Sequence, residues 1–305
     1  MNKKTLRADG LLLLAAFIWG LAFVAQRVGM DYMGPFTYNG IRYLLGLLTI
    51  LPLIIFRHGK AKKLNPDYAK EFSWKKLIKC SLALGTVLTV AVSMQQIAIM
   101  YTTAGNTGFL TSLYVAFTPI AGIFLGRKTG IPTWIGACLS VAGTFCLSIA
   151  PSVFSGGAIA INPGDIITFI SAFVWTAHVL MIDSFVHKVD PIQLSAGQFI
   201  ICGVVSLIIG LIRETITLEA LIAGAIPLLY GGIGSVGIAY TLQVVGQKDS
   251  PPAHATILLS MEGVFSAVGG TLILHETLSS YTLGGFILIF IGIMATQWDV
   301  IRGKH

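Results

Sequence analysis

Charged side chains are scarce in this 305-residue sequence, at 11% against 55% apolar residues. Soluble domains are roughly a quarter charged, and a mean hydropathy of +0.82 leaves too little polar surface to cover a globule in water. The composition therefore excludes an ordinary soluble protein and predicts a chain that lives in a bilayer. It also makes a nucleic-acid partner a poor explanation of the net charge of +7.

Cysteine is also rare, and its placement excludes two kinds of site. The four cysteines lie in or at the ends of apolar stretches, at Cys80, Cys138, Cys146 and Cys202. None lies in an external loop and no CxxC spacing occurs, so we expect neither a disulfide framework nor a metal site. The GxGxxG of Gly232, Gly234 and Gly237 lies inside an apolar helix, where it indicates close helix approach and not a dinucleotide cofactor.

Long apolar stretches are what the sequence does have. A spanning helix needs roughly 20 mostly apolar residues, and ten such stretches are separated by short polar or Gly/Pro-marked breaks. They run approximately over 10–28, 36–56, 79–98, 103–125, 132–150, 164–182, 192–212, 224–245, 253–274 and 281–300. We therefore predict ten transmembrane helices.

Basic residues sort strongly between the two sides of this ten-helix topology. Seventeen of the 20 lie on the side of the chain termini, Arg27 and Arg213 lie on the other side, and Arg42 lies within a helix. The positive-inside rule then places both termini in the cytoplasm. The net charge thus reports orientation in a plasma membrane, although the basic run from Lys60 to Lys79 could also bind anionic lipid.

The second half of the sequence repeats the first. A shift of 156 residues aligns Trp19 with Trp175 across the first two helices, and from the third helix onward a shift of 149 aligns Gly85 with Gly234. Each half holds five helices. Because five is odd, two copies in one chain must insert with opposite orientations, which is the inverted-repeat design of secondary transporters.

The repeat defines the predicted architecture. We expect an all-α integral membrane protein with a first five-helix repeat at 9–150 and a second at 164–300, joined by an external linker at 151–163. Inverted halves provide two related conformations, one open to each side, with a site near the midplane where the halves meet.

Four stretches carry a resemblance to a known family. They are LLLLAAFIWGLAFVAQRVG, IRYLLGLLTILPL, YTTAGNTGFLTSLYVAFTPIAGIFLGRK and ILLSMEGVFSAVGGTLILHETLSSYTLGGFILIFIG. In order, spacing and duplication they resemble the EamA-type branch of the drug/metabolite transporter superfamily. The resemblance implies a ten-helix fold and transport of small metabolites, often export of amino acids or related compounds.

Two charges inside the helices, Arg42 and Glu262, are the first candidate site residues, because a charge at the bilayer centre is costly. Their depths in the membrane differ by ~7 to 8 Å at ~1.5 Å per residue, a gap that two long side chains could span. As binding residues, Arg42 would hold a substrate carboxylate and Glu262 an amine or a proton. As structural residues, they would form a buried pair or cap carbonyl groups. Both interpretations stay open.

Three further candidates share the middle of the membrane. His178 is easily switched near neutral pH and joins Glu262 as a proton-coupling candidate, although a lone membrane His is more often a packing residue. Trp19 and Trp175 lie near mid-depth and not at the interface where Trp is usual, so each could line a cavity or simply pack.

Uncharged polar residues add to the candidate site. Thr107, Thr111, Tyr114 and Thr118 draw one polar stripe along the fourth helix, and glutamine and tyrosine side chains face it from other helices. Tyr114, Gln96, Gln198 and Tyr240 complete the predicted substrate-binding set of Trp19, Arg42, Trp175, His178 and Glu262. Such a stripe is typical of a wet cavity, although some members would only bond helix to helix.

We therefore expect a secondary transporter that moves a small metabolite, amino-acid-like, an amine or a related amphipathic solute, with export favoured. Its expected partners are the small-molecule substrate and membrane lipid, and whether it works as a homodimer stays open. An integral-membrane enzyme would need a nucleophile-base pattern that the external loops lack, so no enzymatic activity is expected. A passive channel or receptor would show unsaturable flux or binding without translocation.

Overall fold

The computed structural model describes residues 3–64, 73–125, 130–148, 161–186, 188–249, 252–296 and 298, and every regular element within them is a helix. The helices are α1 (Lys3–Gly29), α2 (Pro35–Leu64), α3 (Trp74–Ala98), α4 (Ala104–Gly122), α5 (Ile131–Ser148), α6 (Pro163–Val186), α7 (Pro191–Arg213), α8 (Leu218–Ala223), α9 (Ala225–Leu229), α10 (Tyr240–Asp249), α11 (Pro252–Ile273) and α12 (Ser280–Thr296). Most of the predicted linker 151–163, and 65–72 of the basic segment, lie outside the described residues.

Helix starts follow the local sequence. α2 and α7 begin at the prolines of the predicted breaks, where a missing N–H costs nothing. The Asp190 side chain accepts hydrogen bonds from the N–H groups of Ile192 and Gln193 at the start of α7, and Thr103 caps α4 in the same way. These caps satisfy N–H groups that a helix leaves free at its start.

The fold is that of a multi-pass membrane protein. Among the described residues, six helical stretches are long and apolar enough to cross a bilayer, and three shorter apolar helices accompany them. Large apolar side chains remain on the outer faces, such as Leu211 and Ile212 near the end of α7, at 66% and 72% exposed. Hydrocarbon is a suitable solvent for such a surface, whereas water is not.

One helix of the bundle changes from α-helical to π-helical geometry and back along its length. The segmented helix, defined as 225–249, consists of α9, a π-helix from Tyr230 to Ala239, and α10. Gly232 and Gly237 of its π-helical part pack on α2 so closely that a Cβ would lie 2.5 Å and 2.6 Å from the side chains of Leu45 and Thr49. This confirms that these glycines of the GxGxxG pattern serve close helix approach.

The contacts between helices follow the repeat: where two helices pack together, their counterparts in the other half also pack together. α1 packs on α11 and the segmented helix, while α6, its counterpart in the second half, packs on α4 and α3. α2 packs on the segmented helix and α7 packs on α3 in the same manner. α4 lies at the centre, and almost all of its side chains from Ala104 to Phe117 are buried.

Two pairs of corresponding helices pack against each other and run antiparallel. In α2 and α7, Thr37 lies against Gly210, and Gly40 lies against Leu207 one turn further along. A Cβ on Gly40 would lie 2.8 Å from the backbone nitrogen of Leu207, so glycine sets the distance between these helices.

The pair α5 and α12 packs through two glycines on each helix. Gly143 lies against Gly285, and Gly292 lies against Gly136, where a Cβ on Gly292 would be 2.6 Å from the Gly136 carbonyl oxygen. Residue numbers rise along one helix as they fall along the other, which means that the helices are antiparallel. The glycines, seven residues apart on each helix, thus permit close packing of the pair.

Candidate functional site

A cavity lies between α1, α2, α3, α4, α6, the segmented helix and α11. It encloses about 640 Å³ of space free of protein atoms, part of which is open to solvent. Both halves of the sequence contribute to its walls. We call it the central cavity.

Two helices line the central cavity with the same positions of the repeat. From α1 the lining residues are Trp19, Ala22, Phe23 and Gln26. From α6 they are the residues 156 positions later, Trp175, His178, Val179 and Ile182. The repeat therefore extends from sequence to the geometry of the site.

The two indole rings are held differently. The Trp19 Nε1 donates to the carbonyl oxygen of Ser235 at 3.1 Å, and its ring meets Tyr240 edge-on with centroids 5.0 Å apart. The Trp175 ring meets His178 edge-on at 5.4 Å, but its buried Nε1 has no hydrogen-bond partner among the described residues.

Arg42 is buried with its guanidinium against aromatic rings. It is 3% exposed, and its Nε donates to Asn39 Oδ1 at 3.0 Å, while Asn39 Nδ2 donates to the Val92 carbonyl at 3.2 Å. The guanidinium carbon lies 5.1 Å and 5.4 Å from the ring centroids of Tyr43 and Tyr38, within cation–π range. Asn39 thus orients a cation whose terminal nitrogens form no hydrogen bond within the described residues.

Glu262 places a carboxyl group in the same cavity from α11. It is 5% exposed, and neither an ion pair nor a hydrogen bond to its carboxyl group occurs among the described residues. The ion pairs Arg27–Asp31 and Arg57–Asp190 lie away from this cavity. Arg42 and Glu262 therefore share a cavity without forming the buried pair that was one of their two interpretations.

Two predicted residues lie behind the wall and not in it. Gln198 Oε1 accepts a hydrogen bond from His178 Nε2 at 2.8 Å, and Gln96 Nε2 donates to the backbone carbonyl oxygen of Gln26 at 3.2 Å. Gln198 is the repeat counterpart of Arg42. The second half thus has a glutamine bonded to His178. At the equivalent positions the first half has Arg42 and the small Ala22.

Seven of the nine predicted site residues line the central cavity: Trp19, Arg42, Tyr114, Trp175, His178, Tyr240 and Glu262. The members of the polar stripe on α4 have different roles. Thr111 lines the cavity, whereas the hydroxyl groups of Thr107 and Thr118 donate to the backbone carbonyl oxygens of Thr103 and Tyr114 in the same helix. Gln26 and Ser235 also line it and were not predicted. The sequence did contain a signal for Gln26, because it follows Trp19 by seven residues and therefore lies on the same helix face.

The lining of the central cavity is buried toward one face of the bundle. We call this the distal face; it carries the turns 30–34 and 99–103 and lies opposite the start of α1. Gln26 and Gln95, near this face, are each 4% exposed. Ile182 and Gln243, at the other end of the lining, are half-buried, so the lining is more open toward the face where α1 begins.

Carboxylates hold the distal face together. Glu276 accepts hydrogen bonds from the backbone N–H groups of Ala104 and Gly105, at 2.7 Å and 3.2 Å. Glu214 does the same for Phe36 and Thr37, at 2.9 Å and 2.8 Å. In both cases a carboxylate from the second half caps the start of a helix in the first half, where helix dipoles favour negative charge. Asp165 adds bonds to Thr102 and Asn106.

Metal-ligating side chains do not gather in the part of the chain that the structure describes: no group of three or more His, Cys, Asp or Glu residues is placed to hold an ion there. The four cysteines are free thiols.

Comparison with known proteins agrees with this geometry. The model of the EamA-like transporter family matches the chain twice, at residues 6–149 and 162–297. An uncharacterized transporter of Archaeoglobus fulgidus is 26% identical over 97% of this chain and 88% of its own length. The uncharacterized inner membrane transporter YedA of Escherichia coli is 25% identical over 96% of this chain and 92% of its own.

A solved structure supports the fold. A crystal structure that is 16% identical in sequence superposes with a TM-score of 0.66, over 98% of this chain and 99% of the other. At that identity the likeness concerns the fold alone.

Proposed function

Because the chain belongs to the EamA-like transporter family, we propose that it is a secondary active transporter of a small amphipathic solute that works by alternating access. The central cavity is the observation that carries this proposal. Its lining includes a buried guanidinium, a buried carboxyl group that forms no ion pair with it, and two indole rings. Binding sites for small molecules combine an apolar wall with a few placed polar groups in this way.

The proposed solute is amino-acid-like, an amine or a related compound. Arg42 would bind a carboxylate, and Glu262 an ammonium group, while the rings of Trp19 and Trp175 cover the apolar part. Tyr114 and Tyr240 add hydroxyl groups to the wall. Gln96 and Gln198 act one layer behind, where their bonds orient the Gln26 backbone and the His178 ring.

Two inverted five-helix repeats, 9–150 and 164–300, provide the moving parts in this proposal, with ten spanning helices and the linker 151–163 outside. The double match of the family model and the exchange of helix pairs support the repeat. The antiparallel packing of α2 on α7, and of α5 on α12, supports opposite orientations of corresponding helices.

The burial of the lining near the distal face supports a direction of access, if this end is the closed end of the pathway. With both termini in the cytoplasm of a cell whose plasma membrane holds the chain, the distal face is external. The present conformation then faces inward, with the carboxylates of Glu276 and Glu214 as external latches. For export, the solute enters from the cytoplasm, the latches open, and the opposite end closes.

Gradient coupling is the remaining step. Glu262 and His178 are the proposed proton-coupling groups, because a carboxyl group without a partner in low dielectric is stable only when protonation or a bound cation neutralises it. A proton and an amine would therefore compete for Glu262, which is the requirement for their exchange across the membrane.

Reconstitution tests the proposal. A thermal-shift screen of the detergent-purified protein against amino acids, amines, nucleosides and vitamins selects a solute, and uptake of that solute into liposomes is then measured. We expect saturable uptake that Glu262→Gln and Trp19→Ala each impair at least tenfold. Normal uptake by both variants in folded form would refute the site assignment.

A further inference from the structure

The two tryptophans of the central cavity occupy equivalent positions of the repeat, yet among the described residues only the indole N–H of Trp175 lacks a hydrogen-bond partner. This inference rests on the proposed function and deepens it, because it concerns what the solute must carry. It starts from the contacts of each indole N–H.

The donor of Trp19 is already used within the protein. Its N–H binds the carbonyl oxygen of Ser235 at 3.1 Å, in the π-helical part of the segmented helix. The same ring packs on Tyr240, just beyond the π-helix. Trp19 therefore ties α1 to the segmented helix and fixes where the Tyr240 side chain stands in the wall.

The donor of Trp175 is not used. Its Nε1 is buried and has no partner among the described residues, although burying an N–H without a partner costs free energy and native structures rarely leave one so. The equivalent indole N–H, that of Trp19 on α1, does bind a carbonyl oxygen. Packing at this position of the repeat therefore does not by itself explain why the Trp175 N–H lacks a partner.

Two more buried polar atoms without partners in the described chain belong to the same cavity. They are the hydroxyl oxygen of Thr111 on α4 and the side-chain oxygen of Gln26 on α1. Each residue is 4% exposed. A solute with complementary polar groups would supply partners for these three atoms, which belong to three helices around one cavity.

We propose that the indole N–H of Trp175 donates a hydrogen bond to the transported solute, while the indole N–H of Trp19 has a positioning role and acts through Ser235 and Tyr240. The solute class that follows is one with a hydrogen-bond acceptor, such as a carboxylate or carbonyl group, beside its apolar part. A simple arylalkyl ammonium ion lacks such an acceptor and would bind without this bond.

Indole nitrogen labelling tests the assignment directly. The protein has five tryptophans, and in ¹⁵N-indole-labelled protein the signals of interest are assigned by their loss in Trp19→Phe and Trp175→Phe. Three probes are added separately: phenylacetate, phenylalanine and phenethylamine. We expect the Trp175 N–H proton to move to higher frequency with the first two and not with phenethylamine, while the Trp19 signal stays in place with all three.

Stability and uptake provide a second readout of the same variants. Without solute, Trp19→Phe should lower the midpoint of thermal unfolding, whereas Trp175→Phe should leave it unchanged or raise it. For phenylalanine uptake, Trp175→Phe should raise KM about 10- to 150-fold, the loss expected for one hydrogen bond to a charged carboxylate. A Trp175 signal that moves with none of the probes, or a thermal midpoint that falls as much as in Trp19→Phe, overturns the assignment.

The transport proposal can fail separately. If the Trp175 signal responds to phenylacetate and phenylalanine but wild-type liposomes take up neither, the result counts against transport and supports the binding assignment.

Discussion

The Glu276 latch offers the sharpest test of alternating access. Its carboxylate accepts two N–H bonds at the first turn of α4, and charge-assisted hydrogen bonds contribute about 1.5–3 kcal/mol each. Glu276→Gln keeps one acceptor oxygen but loses the charge and one bond, so we expect it to weaken the closed distal face by about 1–2 kcal/mol. At about 1.4 kcal/mol per tenfold change, the population open to the distal face should rise about 5- to 30-fold.

Cysteine accessibility measures this population. Gln95→Cys places a thiol in the closed end of the central cavity, in a background where the four native cysteines are replaced by serine or alanine. A membrane-impermeant thiol reagent is applied from the distal side, and its labelling rate is compared with and without Glu276→Gln. Glu219→Gln is the control, because Glu219 is an exposed carboxylate on the same face. A labelling rate that stays unchanged while thermal stability falls would mean that Glu276 only caps α4.

Three other substitutions test the packing and the charges. Gly292→Leu should abolish folding of the α5–α12 pair, measured as monodisperse yield in detergent, whereas Gly284→Leu on the same helix should not, because a Cβ there meets nothing within 4 Å; equal yields would contradict the close-packing account. Asn39→Ala should raise KM for anionic solutes several-fold in liposome uptake, because Arg42 loses its orienting bond; an unchanged KM would show that the guanidinium needs no support. Glu262→Gln should remove the dependence of uptake on an imposed pH gradient, and an uptake that still follows the gradient would exclude Glu262 as the coupling group.

The starts of α2 and α7 could be predicted because the breaks before them have strong local signals, whereas the start of α1 at Lys3 and the end of α2 at Leu64 lie seven and eight residues beyond the predicted apolar stretches. Proline removes an N–H that the start of a helix does not need, so α2 and α7 begin at Pro35 and Pro191 as the Gly-Pro and Asp-Pro breaks indicate. The membrane character and family membership were predictable for a similar reason, since composition and duplicated motifs extend over the whole chain. The π-helix of 230–239 had no such signal, because its winding depends on packing against α2.

The candidate site was predictable where charge or repetition marked a residue. Arg42 and Glu262 are conspicuous within apolar helices, and Trp19 and Trp175 mark each other through the repeat. Gln26 was missed because its counterpart is Ile182, so the duplication hides a position at which only one half is polar. The difference between the two indole N–H groups also depends on a contact across the bundle, between α1 and Ser235, which spacing along the chain does not encode.

The carboxylate caps show a second limit of the sequence. No local sequence pattern marks Glu214 or Glu276 as helix caps. Their role became visible once the structure brought the ends of α7 and α11 to the starts of α2 and α4. A cap from a distant helix leaves no local pattern, in contrast to Asp190, which caps its own helix.

Trans-stimulated uptake tests the central claim most directly. Liposomes containing the wild-type protein are preloaded with an excess of the unlabelled solute that the thermal-shift screen selects, and the initial rate of labelled uptake is compared with that of empty liposomes. A carrier with one cavity that alternates between two faces predicts a saturable rate that rises with preloading. A rate that grows linearly with solute concentration and ignores the solute inside would contradict the account and indicate a channel.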